Sequence, residues 1–195
     1  MKNAEFSYVT TIGATDIGHA HFSFCEELGF FICEQGYSMR SGKAPGADQA
    51  YQVGFEKALR DNDYIRDPQI FLPWKTFERH NVFVSDRYDH FNYTAENINK
   101  ASEIIKDVHP VWDRLTDGQK VFHIRNVFQI LGEDCESPSS FLIACAPQDK
   151  EGLPKGGTRS AYKIALDRGI PCINIYDLSH QMVYDWLEKV MGELR

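Results

Sequence analysis

Short β-rich runs alternate with helix-forming segments along nearly the whole chain, and this alternation constrains the fold more than any other feature. The runs are Tyr8-Val9-Thr10-Thr11-Ile12-Gly13, Gly36-Tyr37-Ser38-Met39-Arg40-Ser41, Ile70-Phe71-Leu72-Pro73, Ser140-Phe141-Leu142-Ile143-Ala144-Cys145-Ala146 and Ile170-Pro171-Cys172-Ile173-Asn174-Ile175. The fourth is apolar almost without a break, as in a strand covered on both faces. Between the runs, apolar residues three and four apart predict helices over 17–34, 47–59, 94–108, 117–132, 156–169 and 179–192. Such alternation predicts an α/β fold: a doubly wound, mostly parallel, Rossmann-like sheet of about five strands with helices on both faces. The 195 residues predict one domain over 1–195, able to bury on the order of 70% of its unfolded surface. Segment 74–93 follows neither period and is expected to be a long loop, a common place for a lid.

Composition removes several functions. There are 21 Lys+Arg against 28 Asp+Glu, a formal net charge of -7. Non-specific nucleic-acid binding runs on phosphate neutralisation and wants the opposite balance, so a nucleic-acid partner is not expected. No window approaches the ~18 apolar residues needed to span a bilayer, so no membrane partner is expected either. Residues 1–6 carry Lys2 without an apolar run, which predicts no secretory signal. Cys25, Cys33, Cys135, Cys145 and Cys172 form no Cys-x-x-Cys pair and lie in or beside apolar stretches. They are expected to be reduced core thiols of a cytoplasmic protein. His19 and His21 sit in a helical or loop context rather than on a strand, so no metal site is expected. The sequence calls for no cofactor.

Three glycine-rich or small-residue loops lead from strand regions toward helices. They are Gly13-Ala14-Thr15-Asp16, Ser41-Gly42-Lys43-Ala44-Pro45-Gly46-Ala47-Asp48 and Lys155-Gly156-Gly157-Thr158-Arg159. Glycine lets backbone N–H groups approach an anion, and a helix N-terminus favours negative charge. Lys43, Lys155 and Arg159 would add mobile positive charge. Together the loops describe phosphate cradles, and in a doubly wound sheet they fall where ligands bind.

The stretch from Arg40 to Ala50, with Gly54, resembles the signature of the SLOG superfamily. That Rossmann-like group includes the Lonely Guy phosphoribohydrolases, the DNA-processing protein A family and the YspA/YpsA-related proteins. Phe71-Leu72-Pro73-Trp74, Arg125-Asn126-Val127-Phe128-Gln129-Ile130-Leu131-Gly132, Lys155-Gly156-Gly157-Thr158-Arg159-Ser160-Ala161 and Gly169-Ile170-Pro171-Cys172-Ile173-Asn174 follow in the same order. The YspA-like branch is the nearest match, and the resemblance covers about residues 7–176. It implies a nucleotide-like ligand, with Gly42, Gly46, Gly156, Gly157 and Thr158 at the phosphates and Asp48 as a polar contact to ribose or to its own loop. It also implies a homo-oligomer, for which Trp186 offers an anchor. Lonely Guy enzymes carry a catalytic glutamate three residues after the threonine; here that residue is Ala161. A replacement acid would have to come from Asp48, Asp16 or Glu78.

Single residues admit two readings. Asp48, in a first helical turn, either complements the helix dipole or serves a ligand. Arg125 sits beside the apolar face of its helix and needs an anion, either a carboxylate or a phosphate. Asn126 points away from that face, toward a surface or interface. Arg159 opposes the dipole of its own helix, a misfit that a bound phosphate relieves. Trp74 either stacks on a base or packs on its loop. Asp61, Asp63, Asp86 and Asp89 read as solvated loop charges. The expected ligand-binding set is Gly13, Ser41, Gly42, Ala44, Gly46, Asp48, Trp74, Arg125, Lys155, Gly156, Gly157, Thr158 and Arg159. The expected function is binding of a nucleotide or nucleotide-derived signal, ADP-ribose-like or cyclic. The alternatives are an N-glycosidase on nucleoside 5′-monophosphates using Asp48, Arg125 and Glu78, and single-stranded DNA handling.

Overall fold

A computed structural model describes residues 6–194. Residues 1–5, and with them most of the N-terminal segment read above for a signal, lie outside the described residues. In chain order the elements are β1 (Tyr8–Gly13), α1 (His19–Glu34), β2 (Ser38–Ser41), α2 (Ala47–Asp61), β3 (Gln69–Phe71), β4 (Asp89–His90), α3 (Ala95–Val108), α4 (Asp117–Leu131), β5 (Phe141–Cys145), α5 (Thr158–Asp167), β6 (Cys172–Asn174) and α6 (His180–Glu193). All strands pair in parallel, in the order β4-β3-β2-β1-β5-β6. The fold is therefore the doubly wound Rossmann-like α/β sheet, with a sixth strand added.

β5 explains the layering. Val9↔Phe141 through Gly13↔Cys145 is its register on β1, and every residue of β5 is buried. Phe141, Ile143 and Cys145 pack with α1, α2 and α6 on one face. Leu142 and Ala144 pack with α3, α4 and α5 on the other. With no solvent face, β5 is apolar at every position and shows no alternation. α1 and α2 lie unusually close. A Cβ added at Gly29 would sit 2.0 Å from the Tyr51 carbonyl oxygen, and one at Gly54 would sit 1.8 Å from that of Glu26.

The sixth strand corrects the reading of 74–93 as wholly irregular. β4 forms inside that segment, and Ile70 and Leu72 N–H donate to Tyr88 and His90 carbonyls. Lys43 holds the segment in place. Its ammonium is fully buried and pairs with Asp86 and, at 2.7 Å, with Asp89. Both Glu56 carboxylate oxygens accept from Ser85 N–H at 3.0 Å. Lys43 is therefore no mobile charge, and Asp86 and Asp89 are not free loop charges. A lysine in a tight turn after a strand (φ 60) turns inward when two carboxylates wait beside the neighbouring strand, a fact carried by no local pattern. All five cysteines are free thiols. No described helix is long and apolar enough to cross a membrane.

Candidate functional site: a crevice at the switch point of the sheet

The chain runs outward from β1 to β4, then returns to the other side of β1 to form β5 and β6. The carboxyl ends of β1 and β5 therefore diverge into helices on opposite faces, and a crevice opens outside them. Its volume is about 450 Å³, within the usual range for small-molecule sites. The loop after β1, the start of α2, one face of α4 and the start of α5 form its walls.

At Gly13 the ends of β1 and β5 and the start of α2 crowd together. A Cβ there would stand 2.3 Å from the Cys145 carbonyl oxygen and 2.4 Å from Ala47 Cβ. Ala14 N–H donates to Cys145 O at 2.9 Å, and Ala47 N–H donates to Ala14 O at 3.1 Å. Gly46, at φ 78, lies against the Ala14 and Thr15 carbonyls. These bonds tie two strand ends and a helix start into one rigid floor.

Asp48 and Arg125 meet behind that floor. Asp48 Oδ1 accepts from Gly13 N–H at 3.1 Å. Arg125 Nη1 donates to Gly42 O at 2.6 Å and stands 3.7 Å from Asp48 Oδ2. A Cβ on Gly42 would fall 1.7 Å from the same nitrogen. Phe77 and Phe122 flank the guanidinium, with centroids at 6.0 and 5.9 Å. Burial pushes the Asp48 carboxyl up to about 6, opposed by the Arg125 charge and by the Gly13, Ala44 and Gly42 amides. Burial likewise lowers the Arg125 pKa.

The raised carboxyl pKa fixes a sign. The native state holds the Asp48 proton up to about pH 6, whereas an unfolded chain releases it near 4. Wild-type stability relative to Asp48→Asn is therefore expected to fall as pH rises from about 4 to 6 and to level off above, by about 3 kcal/mol. Urea unfolding of both proteins across that range measures it; a difference that rises with pH contradicts this account.

The two kinds of helix start differ. α3, α4 and α6 are capped by the side chains of Thr94, Thr116 and Ser179. α2 and α5 begin at Gly46 and Gly157 with no side-chain cap. Among the described residues no acceptor meets the backbone N–H groups of Gly156, Gly157 or Thr158. Those donors, with Lys155, line the crevice, as an anion site requires.

Eight of the expected site residues line the crevice: Gly13, Ala44, Asp48, Arg125, Lys155, Gly156, Gly157 and Thr158. Gly42 and Gly46 stand just behind its wall. Ser41 is buried in the sheet, donating to Thr11 O at 3.0 Å. Trp74 packs edge-on to Phe77 and Phe122 at 5.3 Å and remains 44% exposed. Glu78 lies in the turn beyond it, outside the lining. Arg159 is not free for a phosphate. It pairs with Asp149 at 2.5 Å and Glu151 at 2.9 Å, and Asp149 also accepts from the Glu151 and Leu153 N–H groups. The arginine that looked misplaced in its own helix fastens the loop before it. Arg40 faces the opposite end of the strands, stacked on Tyr8 at 4.0 Å and donating to Gln69 and Ser137.

α4 holds what sequence reading missed. Phe122, His123 and Asn126 line the crevice beside Arg125. Asn126 is 3% exposed, not a surface residue, and its Nδ2 donates to Gly157 O at 3.2 Å. Burial, then His109 and Arg125, lower the His123 pKa to about 4, so its ring is neutral near pH 7. The available signal was a second stripe one step around the helix from the apolar one. Among the described residues no group of three or more His, Cys, Asp or Glu is arranged to hold a metal ion.

The chain is a doubly wound α/β protein with a crevice of small-molecule size at the switch point of its sheet. No family model and no curated protein matches the chain. Among solved structures it is similar to the Moco carrier protein of Chlamydomonas rheinhardtii, at 14% identity and a TM-score of 0.48, over 87% of this chain and 75% of that chain.

Proposed function

We propose that this protein binds a nucleotide or nucleotide-derived molecule, with a phosphate at the start of α5 and the remainder along α4. One observation carries the reading. Four residues with a buried polar atom that lacks a hydrogen-bond partner, Asp48, His123, Arg125 and Asn126, line the same crevice as Gly156, Gly157 and Thr158, and the Asp48–Arg125 ion pair at 3.7 Å leaves Asn126 Oδ1 and His123 Nδ1 with nothing to meet them. Buried polar groups are normally paired, and such a gathering asks for a polar ligand. The ligand is compact and carries little charge, because Lys43 and Arg159 are neutralised within the protein, and of the two cations among the described residues that line the crevice, Lys155 and Arg125, Arg125 is already paired with Asp48. This reading agrees with the SLOG resemblance, and five free thiols accord with a cytoplasmic setting.

Gly157→Asp is the direct test. A Cβ at Gly157 meets only Asn126 Nδ2, at 3.9 Å, and aspartate is a favoured N-cap, so the fold is expected to remain intact. The added carboxylate occupies the anion position. Nucleoside 5′-monophosphates, cyclic nucleotides and ADP-ribose are screened for a thermal shift. At least one is expected to raise the wild-type melting temperature and to leave that of the variant unchanged. An equal shift in both removes α5 from the site.

A second reading, N-glycosidic cleavage, is favoured by Asp48, whose carboxyl titrates near 6 at the crevice wall. That is a suitable range for general acid–base work. Ala161 is fully buried in the core and Glu78 is outside the lining; Asp48 and Asp16 both line the crevice, and Asp48, the buried one of the two, is the acid this reading favours. Chromatography for free base after incubation with nucleotides separates the two: base released by wild type and not by Asp48→Asn means an enzyme.

A further inference from the structure

The α4 wall of the crevice has a chemistry of its own. Asn126 Nδ2 is fixed by the Gly157 carbonyl, so its other atom must be the oxygen; the flipped amide would set two acceptors face to face. That Oδ1 has no partner. His123, one turn earlier, holds its ring edge-on to His109 at 4.5 Å and to Trp112 at 6.5 Å, and its Nδ1 has no partner either. Residues three apart on a helix are side-chain neighbours. The wall thus offers two adjacent acceptors, the imidazole nitrogen being one while the ring is neutral and protonated on Nε2.

We propose that Asn126 and His123 read the sugar, accepting hydrogen bonds from the vicinal hydroxyls of a ribose whose phosphate sits at the start of α5. This rests on the nucleotide reading above and adds which residues choose between ribose and deoxyribose. Position decides the moiety. Asn126 is bonded to Gly157, beside the anion site, and the part of a nucleotide next to its phosphate is the sugar. Chemistry decides the partner. Two acceptors require donors, and the donors of a sugar are its hydroxyls. Other candidates are committed elsewhere: Asp48 to Gly13 N–H through Oδ1 and to the Arg125 guanidinium through Oδ2, and Ser41 Oγ to Thr11 O. A missing hydroxyl leaves a buried acceptor unmatched, so discrimination is expected to be about tenfold or more.

The test uses the four ribonucleoside 5′-monophosphates and their 2′-deoxy counterparts, titrated by calorimetry into the whole protein, wild type, Asn126→Ala and His123→Phe. At least one ribonucleotide is expected to bind wild type about tenfold tighter than its deoxy form. In the variant that removes the acceptor of the 2′-hydroxyl that ratio is expected to fall below about threefold, with the deoxy form bound nearly as before; in the other, which removes the acceptor of the retained 3′-hydroxyl, both forms are expected to weaken together. Equal wild-type affinity for ribo and deoxy forms overturns the sugar wall and leaves the nucleotide site standing. Discrimination that survives in both variants assigns it to other residues. Absence of binding by all eight nucleotides overturns the nucleotide reading, and the sugar wall with it. The wild-type comparison needs no variant, so a variant that fails to fold does not decide the matter.

Discussion

Arg125→Met is expected to lower unfolding free energy by about 3–5 kcal/mol, because it strands a buried carboxylate. Asp48 is 1% exposed, and the guanidinium 3.7 Å away is its nearby cation. The variant also removes the donor to Gly42 O and leaves that carbonyl without its partner at 2.6 Å. Methionine fills much of the same volume between Phe77 and Phe122, so packing is largely kept. Adding Asp48→Asn is expected to recover half or more of the loss, since the amide still accepts from Gly13 N–H and carries no charge. Urea unfolding of the four proteins in the cycle measures the coupling. A loss below about 1 kcal/mol in the single variant, or none recovered in the double, would mean that water reaches the pair. Nucleotide-induced stabilisation is expected to vanish in Arg125→Met, a readout separate from stability.

The second large effect lies far from the crevice. On helix propensity alone, Gly54→Ala in the middle of α2 should stabilise by about 1 kcal/mol. The opposite sign is expected, a loss of about 1–3 kcal/mol or more. The added methyl meets the Glu26 carbonyl at 1.8 Å, and that carbonyl belongs to the backbone of α1. Backbone cannot rotate aside as a side chain does, so the two helices must part. Gly29→Ala repeats the experiment from the other side, against Tyr51 O at 2.0 Å. Thermal unfolding of either variant checks the sign; a raised melting temperature in both would show that α1 and α2 are not in such close contact.

These cases mark where sequence reading succeeds. β5 was legible because it is apolar at every position, and β1, β2, β3 and β6 as short β-rich runs closed by glycine, proline or other small and polar residues, since a strand-to-helix turn needs small residues. Gly13 and Gly156–Gly157 were legible for the same reason. β4 was not, because two residues carry no period. Lys43 and Arg159 were read as free cations since their partners lie 43 and 46 residues away in one case, and on the far side of a turn in the other. Asn126 was placed at a surface because the helical wheel located one apolar face correctly. It could not show that the neighbouring face closes a crevice.

By itself, then, the sequence determined the layers, the parallel sheet and the positions of the glycine turns, since each follows from periodicity and backbone freedom within a few residues. The charge of the site was decided only in three dimensions. Five cations, Arg40, Lys43, Arg125, Lys155 and Arg159, lie in the segments that carry the SLOG resemblance. The fold sends Arg40 to the opposite end of the strands, pairs Lys43 with Asp86 and Asp89, and pairs Arg159 with Asp149 and Glu151. Electrostatic pairing depends on distance through space, and folding sets that distance between residues whose separation along the chain says nothing about it.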